Sequence, residues 1–302
     1  MKKIGILAII LVAVIGLYFL LPPRSEKVFI PAKPVTINQP PATVEGCKTN
    51  PKLPKDDLSN VSYGKDPSQR FDFYPATAYP CTFLVVVHGG GWTSGDKAKF
   101  TNTAKHFQDL GYPVANINYG LPSFFPDQPD DLLSVMGFLE SNYGAEKFIL
   151  YGHSAGGHLV GLTALSQNKI GGYGGRVAYP SVPIVAWIGS SGVYDYQLLA
   201  DGGSRVRSPR GIFLHYAGGE AAAANPIAYA DSQDMPCLLI AGDNDNLVPF
   251  QTATNLAAKI PSVCSYQLQT NKGHNDVQVY PGRVLNPVTD QLIKNFLAGL
   301  SK

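Results

Sequence analysis

Lys147-Phe148-Ile149-Leu150-Tyr151-Gly152-His153-Ser154-Ala155-Gly156-Gly157 is the stretch that decides the fold. Its first five residues form a short apolar run with the length of a buried strand. The next five read G-x-S-x-G, a strand-to-helix turn that lifts a serine hydroxyl clear of its backbone. Such a turn brings strand and helix close, so the positions two before and two after the serine must be small, as Gly152 and Gly156 are. His158-Leu159-Val160-Gly161-Leu162-Thr163-Ala164-Leu165 continues small and apolar, which suits a buried helix. The helix N-terminus would direct N–H groups and positive dipole at an oxyanion, with Ala155 N–H as the first donor.

A second donor is expected upstream. Thr82-Phe83-Leu84-Val85-Val86-Val87 is β-branched and apolar, a central-strand pattern. It runs into His88-Gly89-Gly90-Gly91-Trp92, where residues without Cβ atoms let the backbone turn its N–H groups into a site. Gly90 and Gly91 are the expected donors. Alone the glycine run could be a plain tight turn. Its pairing with the serine turn, each after an apolar strand, argues for an acyl-transferring serine site.

The base and its orienting acid must lie downstream. Met235-Pro236-Cys237-Leu238-Leu239-Ile240-Ala241-Gly242 reads as another buried strand and leads into Asp243-Asn244-Asp245. An acid there would stand at the carboxyl edge of a parallel sheet, where ligands bind. Ser265-Tyr266-Gln267-Leu268-Gln269 is the next strand candidate, followed by Lys272-Gly273-His274. Of the six histidines, His274 alone sits on a loop after the acid, and the order Ser154, Asp245, His274 suits the fold. Asp243 and Asp195 compete with Asp245 for the acid's role. His88 is expected to hold the glycine loop, His153 and His158 to shape the serine turn, His106 to lie in an amphipathic helix and His215 in an irregular segment. No His/Cys/carboxylate spacing matches a metal site, and no cofactor is called for.

The chain resembles the α/β-hydrolase superfamily, and within it the carboxylesterase branch with a bacterial feruloyl/acetyl-xylan esterase-like domain. The matching residues are Val61-Ser62-Tyr63-Gly64-Lys65-Asp66-Pro67, Asp72-Phe73-Tyr74-Pro75, the glycine loop with Ser94-Gly95-Asp96-Lys97, the serine turn, Asn225-Pro226 with Tyr229, the stretch 242–249, and Gly273-His274. They span about residues 58–300. Kynurenine formamidases and hormone-sensitive-lipase-like esterases share the glycine-tryptophan loop and the serine turn. Where such esterases often carry Asn-Tyr-Arg-Leu, this chain has Asn118-Tyr119-Gly120-Leu121, so any role of that arginine is absent. The expected architecture is α/β: a mostly parallel central sheet with helices on both faces and a small lid segment over residues 196–224.

The domain expectation is an N-terminal membrane anchor or signal segment over 1–21, an extended linker over 22–57 and a catalytic domain over 58–302. After Met1-Lys2-Lys3, residues 4–21 are uncharged and mostly apolar, and a span needs about 17–25 such residues. The leading lysines orient the N-terminus to the cytoplasm, leaving the catalytic domain outside. A cleavable signal peptide is the rival reading, giving a secreted or periplasmic protein. Pro22-Pro23 and Pro40-Pro41 mark the linker as extended. The four cysteines fit an oxidising compartment. Cys237 and Cys264 open strands that should be neighbours, so the expected disulfides are Cys237–Cys264 and Cys47–Cys81, against four free thiols. A net charge of +2 without a basic stripe argues against a nucleic-acid partner.

The activity expected from these residues is hydrolysis of short-acyl carboxylic esters through an acyl-enzyme, with a small-molecule ester as substrate. Trp92 and Tyr119 are expected to touch that substrate, Trp92 crowding one side of a shallow pocket and Tyr119, with Phe124 and Phe125, lining the leaving-group side. An aryl formamidase is the alternative within the same mechanism. A membrane-tethered, non-catalytic binding module is the alternative of another class, and a peptidase a further one.

Overall fold

The computed structural model describes residues 47–48, 51–173, 176–200 and 208–300. By its internal contacts the chain divides at Asn38/Gln39, and every described residue lies in the second unit.

Eight strands make one sheet: β1 (Leu58–Ser62), β2 (Arg70–Tyr74), β3 (Thr82–Val87), β4 (Val114–Ile117), β5 (Lys147–His153), β6 (Ile184–Ser190), β7 (Cys237–Gly242) and β8 (Cys264–Gln269). Their spatial order is β1-β2-β4-β3-β5-β6-β7-β8. The first two pairings, β1 with β2 and β2 with β4, are antiparallel; all the others are parallel. The helices are α1 (Thr101–Asp109), α2 (Asp127–Tyr143), α3 (Ala155–Ser166), α4 (Pro209–Ala217), α5 (Gln251–Lys259) and α6 (Pro287–Leu300).

Strand alternation builds two cores. Along β3, Phe83, Val85 and Val87 join one cluster with Leu132 and Met136 of α2, Leu159 and Val160 of α3 and Leu256 of α5. Leu84 and Val86 join the other with Phe107 of α1 and Ile293 and Leu297 of α6. Side chains one residue apart face opposite sides, so a doubly covered strand must be apolar throughout, as β3 is. α3 is buried along its whole length, the outcome of a helix with no polar stripe to offer water.

Both expected disulfides are present, Cys47–Cys81 and Cys237–Cys264. The second joins residues that face each other in the β7/β8 register. The first ties residue 47 to the head of β3. Lys52 N–H also donates to Tyr143 O at 3.0 Å. The last part of the expected linker is thus fastened to the sheet domain, and residues 22–46 and 49–50 of it lie outside the described residues.

Two expectations need correction. No helix among the described residues is long and apolar enough to cross a membrane. The longest, α2 with 17 residues, carries Asp127, Asp130, Asp131 and Glu140. The expected transmembrane helix and signal anchor therefore have no support in the fold, and residues 4–21 lie outside the described residues. The expected lid segment also differs. Within 196–224, residues 209–217 form α4, whose Phe213 and Tyr216 are buried in the main core, so His215 is helical, not in an irregular segment. Gly- and Ala-rich composition concealed this helix. Ser208 caps it by accepting from Gly211 N–H at 3.0 Å, and Pro209 fits its first turn. Residues 201–207 lie outside the described residues.

Candidate active site

Sheet register brings the two glycine-bearing turns together. Val87 at the end of β3 faces Gly152 on β5. A Cβ on Gly152 would overlap the Gly156 carbonyl, and one on Gly156 would overlap the Val87 carbonyl. Glycine at both positions is what allows α3 to start so close to the strand tips. Ser154, between them, has φ 56° and ψ −121°, a conformation costly for a non-glycine residue and held here by its surroundings. Its N–H donates to Ser190 O of β6 at 2.9 Å. Ala155 begins α3, so its N–H belongs to the first turn and lacks an intrahelical acceptor.

The glycine loop lies against this turn. Gly90 has φ 139° and Gly91 φ 60°. The Gly90 carbonyl is turned into the loop, accepting from Ser94 N–H at 3.1 Å and Ser94 Oγ–H at 3.0 Å. Gly90, Gly91, Ser154 and His274 all line one cavity of about 1040 Å³. Behind the loop, His88 stacks on Tyr119 with ring centroids 4.4 Å apart. His88 Nδ1–H donates to Gly89 O at 2.8 Å, and Tyr119 O–H donates to His88 O at 3.0 Å.

Asp245 follows β7 and His274 follows the neighbouring β8. His274 Nε2 lies 2.8 Å from Ser154 Oγ, and its Nδ1 lies 2.7 Å from Asp245 Oδ2. The other Asp245 oxygen accepts from Leu247 N–H and Val248 N–H, both at 2.9 Å. Burial works to raise the Asp245 carboxyl, but the hydrogen bond and charge of His274 and the two backbone donors outweigh it. The net result is a pKa below the ordinary carboxylate value. Asp243 instead accepts from Asn271 N–H at 2.6 Å, closing the turn after β8. Asp195 caps a short 3-10 turn through Gln197 N–H. Neither bonds to His274. His153 packs beside His274, centroids 5.0 Å apart. Burial, then the charge of His274, pushes it down to about 3, so it is neutral near pH 7.

Trp92 and Tyr119, the expected substrate contacts, stand behind the loop and are not among the residues lining this cavity. Trp92 is 4% exposed and stacks on Tyr216 of α4. Its Nε1–H donates to His158 Nδ1 at 3.1 Å, and His158 Nε2–H donates to Ala224 O at 2.7 Å. The two bonds fix one neutral tautomer, consistent with burial pushing His158 down to about 4. Tyr119 is 1% exposed. Phe124 is half exposed beside His215, and Phe125 packs on Tyr173 and Tyr216. An aromatic next to a catalytic motif reads equally as pocket wall or as prop, and only packing separates the two.

Sequence reasoning missed the pin that holds the loop's exit. Lys97 Nζ pairs with Asp72 Oδ1 of β2 at 2.6 Å, both side chains nearly buried. Lys97 N–H donates to Asn118 Oδ1 at 2.6 Å, and Asn116 Nδ2–H donates to Lys97 O at 2.8 Å. Both members of the pair sit inside motifs that carried the resemblance, which was the available signal. It also missed the cavity wall formed by Lys99, Asn102, Leu247, Asn275, Gln278 and Arg283, whose residues come from three separate segments. Among the described residues no group of three or more His, Cys, Asp or Glu could hold a metal ion.

The model of the BD-FAE family matches residues 72–260, more than half of the chain, and the chain belongs to that family. It is 25% identical over 284 residues to kynurenine formamidase avaC of Aspergillus versicolor, covering 78% of this chain and 89% of that one. It is 28% identical over 229 residues to the probable carboxylic ester hydrolase LipM of Mycobacterium tuberculosis, covering 68% of this chain and 52% of that one. The chain thus spans about half the length of the second relative. Among solved structures, esterase B of Lactobacillus rhamnosis superposes with a TM-score of 0.66 at 21% identity, covering 83% of this chain and 88% of that one. The fold is that of the α/β-hydrolases.

Proposed function

We propose that this member of the BD-FAE family is a serine hydrolase that cleaves short-acyl carboxylic esters through an acyl-enzyme. The observation that carries the reading is the unbroken hydrogen-bond chain from Ser154 through His274 to Asp245. Its similarity to a probable carboxylic ester hydrolase supports it.

In this mechanism Ser154 Oγ attacks the ester carbonyl carbon while His274 Nε2 takes its proton. The carbonyl electron pair moves onto oxygen, and that oxyanion accepts hydrogen bonds from the N–H groups of Gly90, Gly91 and Ala155. Collapse breaks the bond to the alcohol, whose oxygen receives the proton from His274. Water then attacks the acyl-serine with His274 as base, the carboxylic acid leaves and Ser154 regains its proton. Asp245, anchored by the Leu247 and Val248 N–H groups, keeps the His274 Nδ1 proton in place and stabilises the imidazolium. Short acyl groups are favoured because the cavity wall has few apolar side chains, chiefly Ala98, Phe100 and Leu247, against which a long chain could be buried. The two disulfides support action in an oxidising, extracytoplasmic setting.

Ser154→Ala should lower kcat by on the order of a million-fold and abolish labelling by a fluorophosphonate. Retained turnover of a short ester would refute the assignment, and a parent protein that neither labels nor turns over esters would be a binding module. A second reading, aryl formamide hydrolysis by the same groups, is favoured by the similarity to a kynurenine formamidase. A kcat/KM for N-formylkynurenine above that for every acetyl and butyryl ester would select it.

A further inference from the structure

The cavity over Ser154 has a one-sided charge. Lys99 stands on its wall from the turn after the glycine loop, and Arg283 from the segment after His274. No carboxylate lines the cavity among the described residues. The carboxylates close by are engaged elsewhere. Asp96 accepts from Ala98 N–H and Asn118 Nδ2–H, Asp276 from Gly273 N–H, and Asp245 from His274 and two backbone N–H groups. Lys97, two residues before Lys99, is turned inward onto Asp72. Lys99 and Arg283 have no such ion pair among the described residues, and both are exposed to the solvent of the cavity. Two cations on a concave wall focus a positive potential into it, which raises the local concentration of anions. Asn102, Asn275 and Gln278 add hydrogen-bonding groups on the same wall.

We propose that Lys99 and Arg283 select esters whose leaving alcohol carries an anionic group: a carboxylate, sulfate or phosphate. This rests on the ester-hydrolase reading above. The alcohol side follows from the path of the proton. His274 Nε2 is the atom that protonates the departing oxygen, and Asn275, Gln278 and Arg283 follow His274 in the chain along that wall. Arg283 and Lys99 line the same cavity as His274, so an alcohol leaving past His274 departs into the field of both cations.

The test compares 4-acetoxybenzoate with 4-acetoxybenzamide, equal in acyl group and ring but anionic and neutral in the leaving phenol. The readout is the ratio of their kcat/KM values. In the full chain, Lys99→Gln/Arg283→Gln should lower the anionic-to-neutral ratio by about tenfold. The charge-conserving pair Lys99→Arg/Arg283→Lys should keep it. Raising ionic strength from about 0.01 to about 1 M, which shortens the screening length from about 30 to about 3 Å, should lower the ratio in the parent protein. That arm needs no variant to fold. A ratio indifferent to both salt and charge removal overturns the inference and leaves ester hydrolysis standing. Failure of the parent to cleave either ester overturns the reading beneath it.

Discussion

Replacing Asp245 by Asn tests the acid's role with a direction set by the structure. One Asp245 oxygen accepts two backbone N–H bonds at 2.9 Å, from Leu247 and Val248. In the variant that position demands the amide oxygen, since an NH2 group there would oppose two donors. The amide NH2 must then face His274 Nδ1, across the 2.7 Å now spanned by the His274–Asp245 bond. A donor at that point makes Nδ1 an acceptor and puts the ring proton on Nε2. Nε2–H would point at Ser154 Oγ, 2.8 Å away, and could not take its proton. The wrong tautomer costs on the order of ten-thousand-fold in kcat, about 5.4 kcal/mol of barrier. Asp243→Asn should stay close to the parent, because an amide oxygen can still accept from Asn271 N–H. Steady-state hydrolysis of a short aryl ester reads both variants, with circular dichroism as a check of folding. A crippled Asp243→Asn beside a near-normal Asp245→Asn would refute the reasoning.

Removing the Cys237–Cys264 bridge by Cys→Ser at both positions opens a 27-residue loop, worth roughly 3.5 kcal/mol by loop-closure entropy. For a domain of this size that lowers Tm by roughly 10 °C in thermal scans, and an unchanged Tm would refute it. Acid should also destabilise the fold through buried neutral histidines. His158 is held down to about 4 by burial, so between about pH 6.5 and 4 the unfolded chain binds a proton that the folded chain does not. Stability falls as pH is lowered through that window, by on the order of 3 kcal/mol for His158 alone, and no further below it. Urea midpoints measured across this range should show the fall, and His158→Gln should flatten it; an identical slope in parent and variant would count against this account.

The parts of the fold and site that were legible share a local cause. The serine turn, the glycine loop and the strand ends before Asp245 and His274 are each written in a contiguous stretch, because close backbone approach demands glycine and a doubly covered strand demands an apolar run. Even the Cys237–Cys264 pairing followed from two strand heads, since parallel neighbours place them in register. What escaped reading depends on side-chain direction across long separations. Trp92 follows three glycines, yet it points away from the cavity because His158 and Tyr216, far along the chain, offer a hydrogen bond and a flat ring behind the loop. Residues 209–217 looked like part of a loose cover because Gly- and Ala-rich stretches flank them on both sides, yet Phe213 and Tyr216 fill the space beside Trp92 and make α4 part of the core. The same residues therefore change the meaning of Trp92 and of the supposed lid together. With Trp92 engaged behind the loop, polar and cationic residues of the Ala98–Asn102 and Asn275–Arg283 stretches line the cavity over Ser154. The proposed selectivity is then one of charge and hydrogen bonding on the alcohol side, beyond the proposed exclusion of long chains.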